Sequence, residues 1–474
     1  MRKTKIICTL GPASNTKEII QQLIKEGMNV ARFNFSHGSH ETHLALFQEL
    51  NKARNELDAA IGTILDTKGP EVRIGNLKGG KAFLQDGASF DLVTEPLEGD
   101  ETQASISYKD LPRDLGDKRR ILLDDGLIEL EVLEAREDRI RTRVVAGGEI
   151  TNRRGVNIPG TRLSMPYLSQ ADKDDILFGI RTGFDIVAAS FVRSRDDVQQ
   201  MRDFLDGNGG GHIRIMAKIE NAEGVANLEE IIQVCDSVMI ARGDMGVEIP
   251  FEEIPIIQKR IIKVASMAGK QVITATQMLN SMIEHPRPTR AEITDVANAI
   301  YDGTSVIMLS GETANGKFPV EAVRTMARIA RRTEKDINYK KRFFVDNMYQ
   351  DAHNITDAIS HATCLIAYNL DANAIITVTK SGTTAYMISR FRSDIPIIAC
   401  TPDATVWRQM SLSWGVTGLM VGEERVMEVL FDHAINSAKL EGLVKAGDLV
   451  VLTTGIPLSQ SGSTNLIKVA TVPE

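Results

Sequence analysis

Apolar positions along the chain follow a strand–helix alternation that is interrupted once and then resumes. Residues 5–10 form a short apolar run that reads as a strand. Ile19, Ile20, Leu23 and Ile24 then share one helical face, with Asn15 as the N-cap, Glu18 closing a capping box and Gly27 ending the helix. A strand at 29–35, a helix at 40–60 and a strand at 62–66 continue the rhythm, which breaks at Gly69-Pro70. From there to about Leu163 the pattern has period two, as at 127–133, where Ile128, Leu130 and Val132 alternate with other residues, and at 139–144. This stretch predicts an all-β insertion expected to form a small β-barrel. The alternation then returns, with β-rich runs at 185–191, 213–219, 237–241, 271–275 and 304–309. Helical patterns separate them. At 289–300, Thr289 and Glu292 form a capping box and Ile293, Val296, Ala297 and Ile300 form the stripe; another helix is predicted at 319–332.

Eight strands, most followed by a helix, predict an α/β fold built on a (β/α)8 TIM barrel. An open doubly wound sheet is the competing reading. It would require a dinucleotide-binding or Walker glycine loop after a strand, and the chain has neither. From about Asn338 a basic segment, Tyr339-Lys340-Lys341-Arg342, leads into a third region of αβ units: a helix at 355–370, strands at 374–378 and 395–400, a strand ending near 421, a helix at 426–440 and a strand at 448–453. The predicted organisation is a barrel of 1–69 and 165–340, an inserted lid of 70–164 and a C-terminal α/β domain of 341–474.

Composition narrows the class. A chain of 474 residues, 43% hydrophobic and 25% charged, is an ordinary globular protein with room for about three domains. The first apolar run stops at Gly11-Pro12, too early for a signal peptide, and no run of about 20 apolar residues is present to span a bilayer. Cys8, Cys235, Cys364 and Cys400 are scattered, which predicts a reduced, cytoplasmic protein without a zinc site or disulfide framework. A net charge of −8 argues against nucleic acid as a partner, so any bound phosphate needs local cations.

Those cations stand at the predicted strand ends, where barrels place their chemistry. The second strand carries Arg32, Asn34 and Ser36 on one face, and the third ends Asp66-Thr67-Lys68. The fifth reads Lys218-Ile219-Glu220, the sixth ends Arg242-Gly243-Asp244, the seventh Thr276-Gln277 and the eighth Ser310-Gly311-Glu312. Glu220 and Asp244 end consecutive strands, which pair about 4.8 Å apart. Two carboxylates that close repel unless a cation lies between them, and all-oxygen ligation with open positions suits Mg²⁺ or Mn²⁺. Arg32 and Lys218 bring positive charge to the same mouth, where a phosphate or carboxylate could bridge them and the metal. Asn34, Ser36, Asp66 and Thr67 form a second group of hard oxygens with one formal charge, which suits a monovalent cation. The plainer alternatives are a structural Lys218–Glu220 pair and solvated strand ends.

Long motifs in this order resemble the pyruvate kinase family. They are Lys5-Ile6-Ile7-Cys8-Thr9-Leu10-Gly11-Pro12, Arg32-Phe33-Asn34-Phe35-Ser36-His37-Gly38, Leu65-Asp66-Thr67-Lys68-Gly69-Pro70-Glu71-Val72-Arg73, Lys218-Ile219-Glu220-Asn221, Ala241-Arg242-Gly243-Asp244-Met245-Gly246-Val247-Glu248, Thr274-Ala275-Thr276-Gln277-Met278-Leu279, Arg287-Pro288-Thr289-Arg290-Ala291-Glu292 and Met308-Leu309-Ser310-Gly311-Glu312-Thr313. The resemblance implies phosphoryl transfer from phosphoenolpyruvate to ADP, giving pyruvate and ATP, by a homotetramer. It implies Mg²⁺ on Glu220 and Asp244, and K⁺ on Asn34, Ser36, Asp66 and Thr67. Arg32 would grip the phosphate, and Lys218 would stabilise the transferring phosphoryl group and the enolate. The Gly243 and Asp244 amides would meet the substrate carboxylate, and Thr276, with Ser310 and Glu312, would serve protonation of the enolpyruvate. Asn34, His37, Arg73 and Arg154 fall where the family contacts nucleotide. Glu71 implies K⁺ dependence, because members that work without K⁺ tend to carry Lys there. One departure is visible: the family often has Ser/Thr-Glu-Lys-Asp where this chain has Ser169-Gln170-Ala171-Asp172, so Ala171 lacks a phosphate-binding lysine.

In the third region Thr379-Lys380-Ser381-Gly382-Thr383-Thr384 lies between a strand and a helix, a hydroxyl-rich turn able to cradle phosphate. A second such stretch is 459–464. By resemblance this region binds a phosphorylated allosteric effector; an ordinary αβ turn is the alternative. Two other functions fit parts of the pattern: a metal-dependent lyase acting on pyruvate or phosphoenolpyruvate in a similar barrel, and a silent paralogue that senses a sugar phosphate.

Overall fold

The computed structural model describes residues 2–346, 354–424, 426–457 and 464–474. Eight parallel strands close into a barrel: β1 (Lys5–Thr9), β2 (Val30–Asn34), β3 (Gly62–Asp66), β4 (Ile186–Ala189), β5 (Arg214–Ile219), β6 (Ser237–Ala241), β7 (Gln271–Ala275) and β8 (Val306–Leu309), with β1 paired to both β2 and β8. These strands are buried on both faces, as expected of a parallel sheet wrapped by helices. Alternation along β2 turns Phe33 outward, where its ring meets Phe184 at 5.1 Å, and so turns Arg32 and Asn34 to the mouth. The predicted strand ranges hold to within a few residues, and Thr289 and Glu292 form the capping box of helix Arg290–Asp302. The first helix, Lys17–Glu26, is capped by Thr16 rather than Asn15. A 3-10 turn at Pro12–Ser14 takes up the chain as far as Asn15, and Thr16 is the extended residue whose side chain accepts from the Ile19 amide.

The insertion is all-β apart from a 3-10 turn at Lys78–Gly80 and a short helix, Leu111–Asp114, and it does not close. Among the described residues it forms a six-stranded sheet, with edges at Val156–Asn157 and Gln103–Ser105, and a separate two-stranded pair. The expected small β-barrel is therefore a curled half-barrel. The period-two pattern specified strands and their buried face, while closure depends on strand tilt and stagger. Its core, including Phe90, Leu92, Leu130 and Ile140, is its own.

The C-terminal region is a five-stranded sheet: β9 (Ala374–Val378), β10 (Ile397–Thr401), β11 (Val416–Met420), β12 (Leu449–Thr454) and β13 (Leu466–Thr471), in the order β11-β10-β9-β12-β13. The first four are parallel and β13 is antiparallel to β12. The sequence pattern missed β13, an edge strand whose residues are half-buried or exposed.

This region meets the barrel at the beginnings of its strands, opposite the mouth. The Lys5 ammonium donates to the Val416 carbonyl at 2.6 Å, Gln271 Oε1 accepts from the Trp414 amide at 3.2 Å, and Leu412 packs into the barrel's interior layer. Arg408 pairs at 2.9 Å with Asp185, which is fully buried and also accepts from the Thr63 amide and hydroxyl. Arg408→Met would strand that carboxylate and is expected to destabilise the protein by about 3 kcal/mol, read as a fall in the denaturation midpoint. An unchanged midpoint would show that the Thr63 bonds suffice. Among the described residues, no helix is long and apolar enough to cross a membrane.

Candidate active site

The polar groups predicted at the strand ends converge. The Lys218 ammonium lies 2.9 Å from Glu220 Oε1 and 3.2 Å from Asp66 Oδ1, and donates to Ser190 Oγ at 2.8 Å. Arg32 pairs through Nε with Asp66 and donates through Nη1 to Thr9 Oγ1 at 2.9 Å. Lys218, Glu220, Asp66 and Arg32 are each at least nine-tenths buried. Burial disfavours the Lys218 charge, but Asp66, then Glu220 and Asp244, outweigh it and raise its pKa. Burial would raise Asp66, yet Arg32 and Lys218 hold it below the usual range. Burial raises the Glu220 pKa, Lys218 opposes that rise and Asp244 adds to it.

Three features of this centre lay outside the sequence reading. Ser190, just beyond β4, joins the clusters: its hydroxyl accepts from Lys218 and lies 3.2 Å from Asp66 Oδ1 and 2.7 Å from the Thr67 carbonyl. The signal was a polar residue at a fourth strand end, like those at the other ends. Phe191, at φ 54°, donates its amide to Glu220 Oε2 at 2.6 Å. Arg242 forks onto Asp295 at 2.7 and 2.8 Å and donates to the Thr276 carbonyl at 2.7 Å. It thereby holds Thr276 at φ 66°, which costs a β-branched residue about 1–3 kcal/mol.

Asp244 lies in the first turn of helix Arg242–Glu248, close enough for its charge to act on Lys218, Glu220, Glu71 and Asp125. The last two belong to the insertion, so the lid's underside faces the mouth. There Arg73 is held by Glu71 at 2.6 Å and by the Arg153 carbonyl at 2.9 Å, and Arg154 lies 3.1 Å from Asp124. Burial raises the Glu71 carboxyl and Arg73 opposes it. The Gly243 amide, expected to face substrate, donates to Thr276 Oγ1 at 2.8 Å in this state. Both oxygens of Glu312 accept amides, from Leu279 at 3.0 Å and Ser310 at 2.8 Å, so it braces the β7 and β8 loops beside Thr276.

Asn34 and Asp66 are register partners on β2 and β3, and Asn34 Oδ1 accepts from the Ser36 amide at 3.2 Å. The Thr67 hydroxyl turns to β4, donating to the Ala188 carbonyl at 3.2 Å. His37 joins Arg32, Asn34, Pro12, Asn15 and Ser310 around a cleft of about 920 Å³ beside the mouth. Ala171 is exposed in the first turn of helix Gln170–Thr182, which Ser169 caps.

The centre fits a divalent cation on two grounds. Glu220 Oε1 is buried with the Lys218 ammonium, 2.9 Å away, as its partner, which leaves it acceptor capacity, and three acids, Asp66, Glu220 and Asp244, face the two cations Arg32 and Lys218. Among the described residues, no group of three or more His, Cys, Asp or Glu side chains is placed to hold a metal.

Residues 1–323 match the family "Pyruvate kinase, barrel domain" and residues 357–470 match "Pyruvate kinase, alpha/beta domain". The chain belongs to the pyruvate kinase family. It is 47% identical to the pyruvate kinase of Geobacillus stearothermophilus over 100% of this chain and 81% of that one, and 46% identical to that of Clostridium acetobutylicum over 100% of both. The crystal structure of a pyruvate kinase from Cryptosporidium parvum superposes with a TM-score of 0.93 at 39% identity, covering 100% of this chain and 96% of that one. The pyruvate kinase family is typically dependent on Mg²⁺ and K⁺.

In the C-terminal region, the 379–384 loop follows β9. Thr379 Oγ1 accepts from the Gly382 amide at 3.0 Å, the Ser381 and Thr383 hydroxyls are 2.9 Å apart, and Lys380 lies 2.9 Å from Glu423. Thr384 and Thr464 share a hydrogen bond of 2.7 Å; the rest of the second hydroxyl-rich stretch, 459–463, is outside the described residues.

Proposed function

We propose that the barrel mouth performs the pyruvate kinase reaction with the residue roles set out here. The reaction is phosphoryl transfer from phosphoenolpyruvate to ADP, giving pyruvate and ATP, the last step of glycolysis. The observation that carries the assignment of roles is the buried Lys218 ammonium between Glu220 and Asp66, with Arg32 and Asp244 beside it. Such transfer rests on positioning and charge neutralisation more than on covalent chemistry. Arg32 binds the phosphate with the guanidinium face that Asp66 and Thr9 orient. Lys218 carries a fixed positive charge to the bridging oxygen, where it stabilises the PO₃ group in transit and the enolate left behind. Thr276, held by Arg242, sits where the enolate carbon takes its proton, with Ser310 and Glu312 supporting that loop. Glu220 and Asp244 would hold Mg²⁺ (or Mn²⁺), which when bound supplies Lewis-acid neutralisation of the phosphoryl and carboxylate oxygens.

Asn34, Ser36, Asp66 and Thr67 are the proposed K⁺ ligands, and Asn34, His37, Arg73 and Arg154 the nucleotide contacts. The Thr67 hydroxyl and the Gly243 amide would exchange their present partners to take these roles. The 379–384 loop, from Thr379 and Lys380 through Ser381, Gly382 and Thr383 to Thr384, is the proposed site of a phosphorylated effector. A cytoplasmic homotetramer, with domain limits at 69/70, 164/165 and 340/341, completes the reading on the strength of the family.

A coupled assay with phosphoenolpyruvate, ADP and Mg²⁺ tests it, following ATP and pyruvate together. Equal amounts of both, abolished by EDTA, are expected; pyruvate without ATP would identify a lyase instead. Activity is also expected to be low without K⁺ and to rise with it, and Glu71→Lys to lessen that dependence by placing an ammonium beside Arg73. Wild-type rates indifferent to K⁺ would remove the role given to Glu71.

A further inference from the structure

One contact between the C-terminal region and the barrel is made to the 379–384 loop itself. Arg214, the first residue of β5, donates through Nη2 to the Ser381 carbonyl at 2.7 Å. Its Nη1 donates to Asp236 at 2.8 Å, and Asp236 in turn accepts the Ile215 amide at 2.8 Å, so the guanidinium is tied to the backbone of its own strand. Its face lies over the Tyr386 ring, 5.6 Å from the centroid, on the helix that follows the loop. Four residues further along the same strand stands Lys218, and Glu220 follows. A strand rises about 3.3 Å per residue, so roughly 13 Å of buried, inextensible backbone joins the loop contact to the catalytic ammonium.

Two features give this contact freedom to change. Arg214 borders both an outer cleft of about 560 Å³, lined with Lys380, Ser381 and Thr405, and an inner cavity of about 160 Å³, lined with Asp236, Lys270 and Tyr386. The guanidinium can therefore move without displacing packed core. Some of the loop's donors are engaged within it, the Gly382 amide on Thr379 and the Ser381 and Thr383 hydroxyls on each other. A phosphate taking those donors must open these bonds, and the Ser381 carbonyl lies among them.

We propose that Arg214 is the positioning residue that couples the 379–384 loop to Lys218 and Glu220 by gripping the Ser381 carbonyl from the start of β5. This rests on the reading of that loop as an effector site. A ligand there shifts the balance between two settings of the Arg214–Ser381 contact, and hence the affinity of the mouth for phosphoenolpyruvate.

The test uses full-length wild type and Arg214→Met, with fructose 1,6-bisphosphate, glucose 6-phosphate and ribose 5-phosphate as separate probes. Binding is followed by calorimetry, and kcat and phosphoenolpyruvate half-saturation by assay. In wild type an activating probe is expected to lower half-saturation by about 5–150-fold, the usual size of allosteric coupling. In Arg214→Met the same probe should still bind, within about threefold of wild type, with kcat at saturating substrate kept, while the shift in half-saturation falls below about twofold. Arg214→Lys keeps the charge opposite Asp236 but lacks the fork, so it serves if the Met variant does not fold and should lose most of the shift. Full activation in the variants, or activation lost only in proportion to binding, overturns the coupling role alone. Failure of every probe to bind wild type overturns the effector reading and the coupling with it.

Discussion

Lys218→Met is expected to lower kcat by about 10²–10³-fold while leaving the barrel folded, the scale of losing one charge-stabilising group in a preorganised site. Lys218 is raised in pKa by Asp66, Glu220 and Asp244 together, so it carries its charge throughout the working pH range and needs no activation step. Methionine reaches only as far as the lysine Cε, so Glu220 Oε1 and Asp66 Oδ1 lose the ammonium and face an apolar methyl. A loss of stability should accompany the loss of rate, since a buried acid stripped of its partner costs several kcal/mol. Turnover at saturating substrates, measured well below the melting temperature, separates the two effects. A variant with wild-type kcat would remove Lys218 from the chemistry and reduce it to a structural ion pair.

Glu220→Gln should be nearly as damaging by a different route. The amide retains an oxygen to accept the Phe191 amide, so the local backbone is kept, but the negative charge toward Asp244 is gone. A metal-borne stabilisation of several kcal/mol corresponds to about 10³-fold in kcat/KM. Affinity for Mn²⁺ in the absence of substrate should fall by at least the 10–100-fold seen when even an outer partner of a metal ligand is removed. Manganese paramagnetic resonance titration reads that affinity without turnover. Equal affinity in wild type and variant would mean that Glu220 is not a ligand, whatever the rate.

Much of this was legible in the chain, for reasons that differ between parts. Strands such as Gly62–Asp66, Ser237–Ala241 and Gln271–Ala275 stand where the apolar runs put them, because a parallel strand buried on both faces leaves a continuous apolar signature. Lys218, Glu220, Arg32 and Asp66, which the structure brings together, stood out because charge at the end of such a run is conspicuous. Ser190 was not, because a serine after two alanines looks like any loop residue until Lys218 and the Thr67 carbonyl are brought to it. The Arg242 fork onto Asp295 spans 53 positions and has no local pattern. The insertion misled in another way: its alternation identified strands and their inner face, but nothing local states whether the last strand meets the first.

By itself, then, the order of residues determined the barrel rhythm, the break at Gly69-Pro70 and the two acids and two cations at the strand ends, since periodicity and strand polarity are short-range properties of a chain. Tertiary structure alone decided which of those charges meet, that a half-open sheet covers them, and that the Ser381 carbonyl rests on the start of the strand bearing Lys218. Those are distances between segments remote in sequence, set by how sheets close and domains dock, and no window of neighbouring residues contains them.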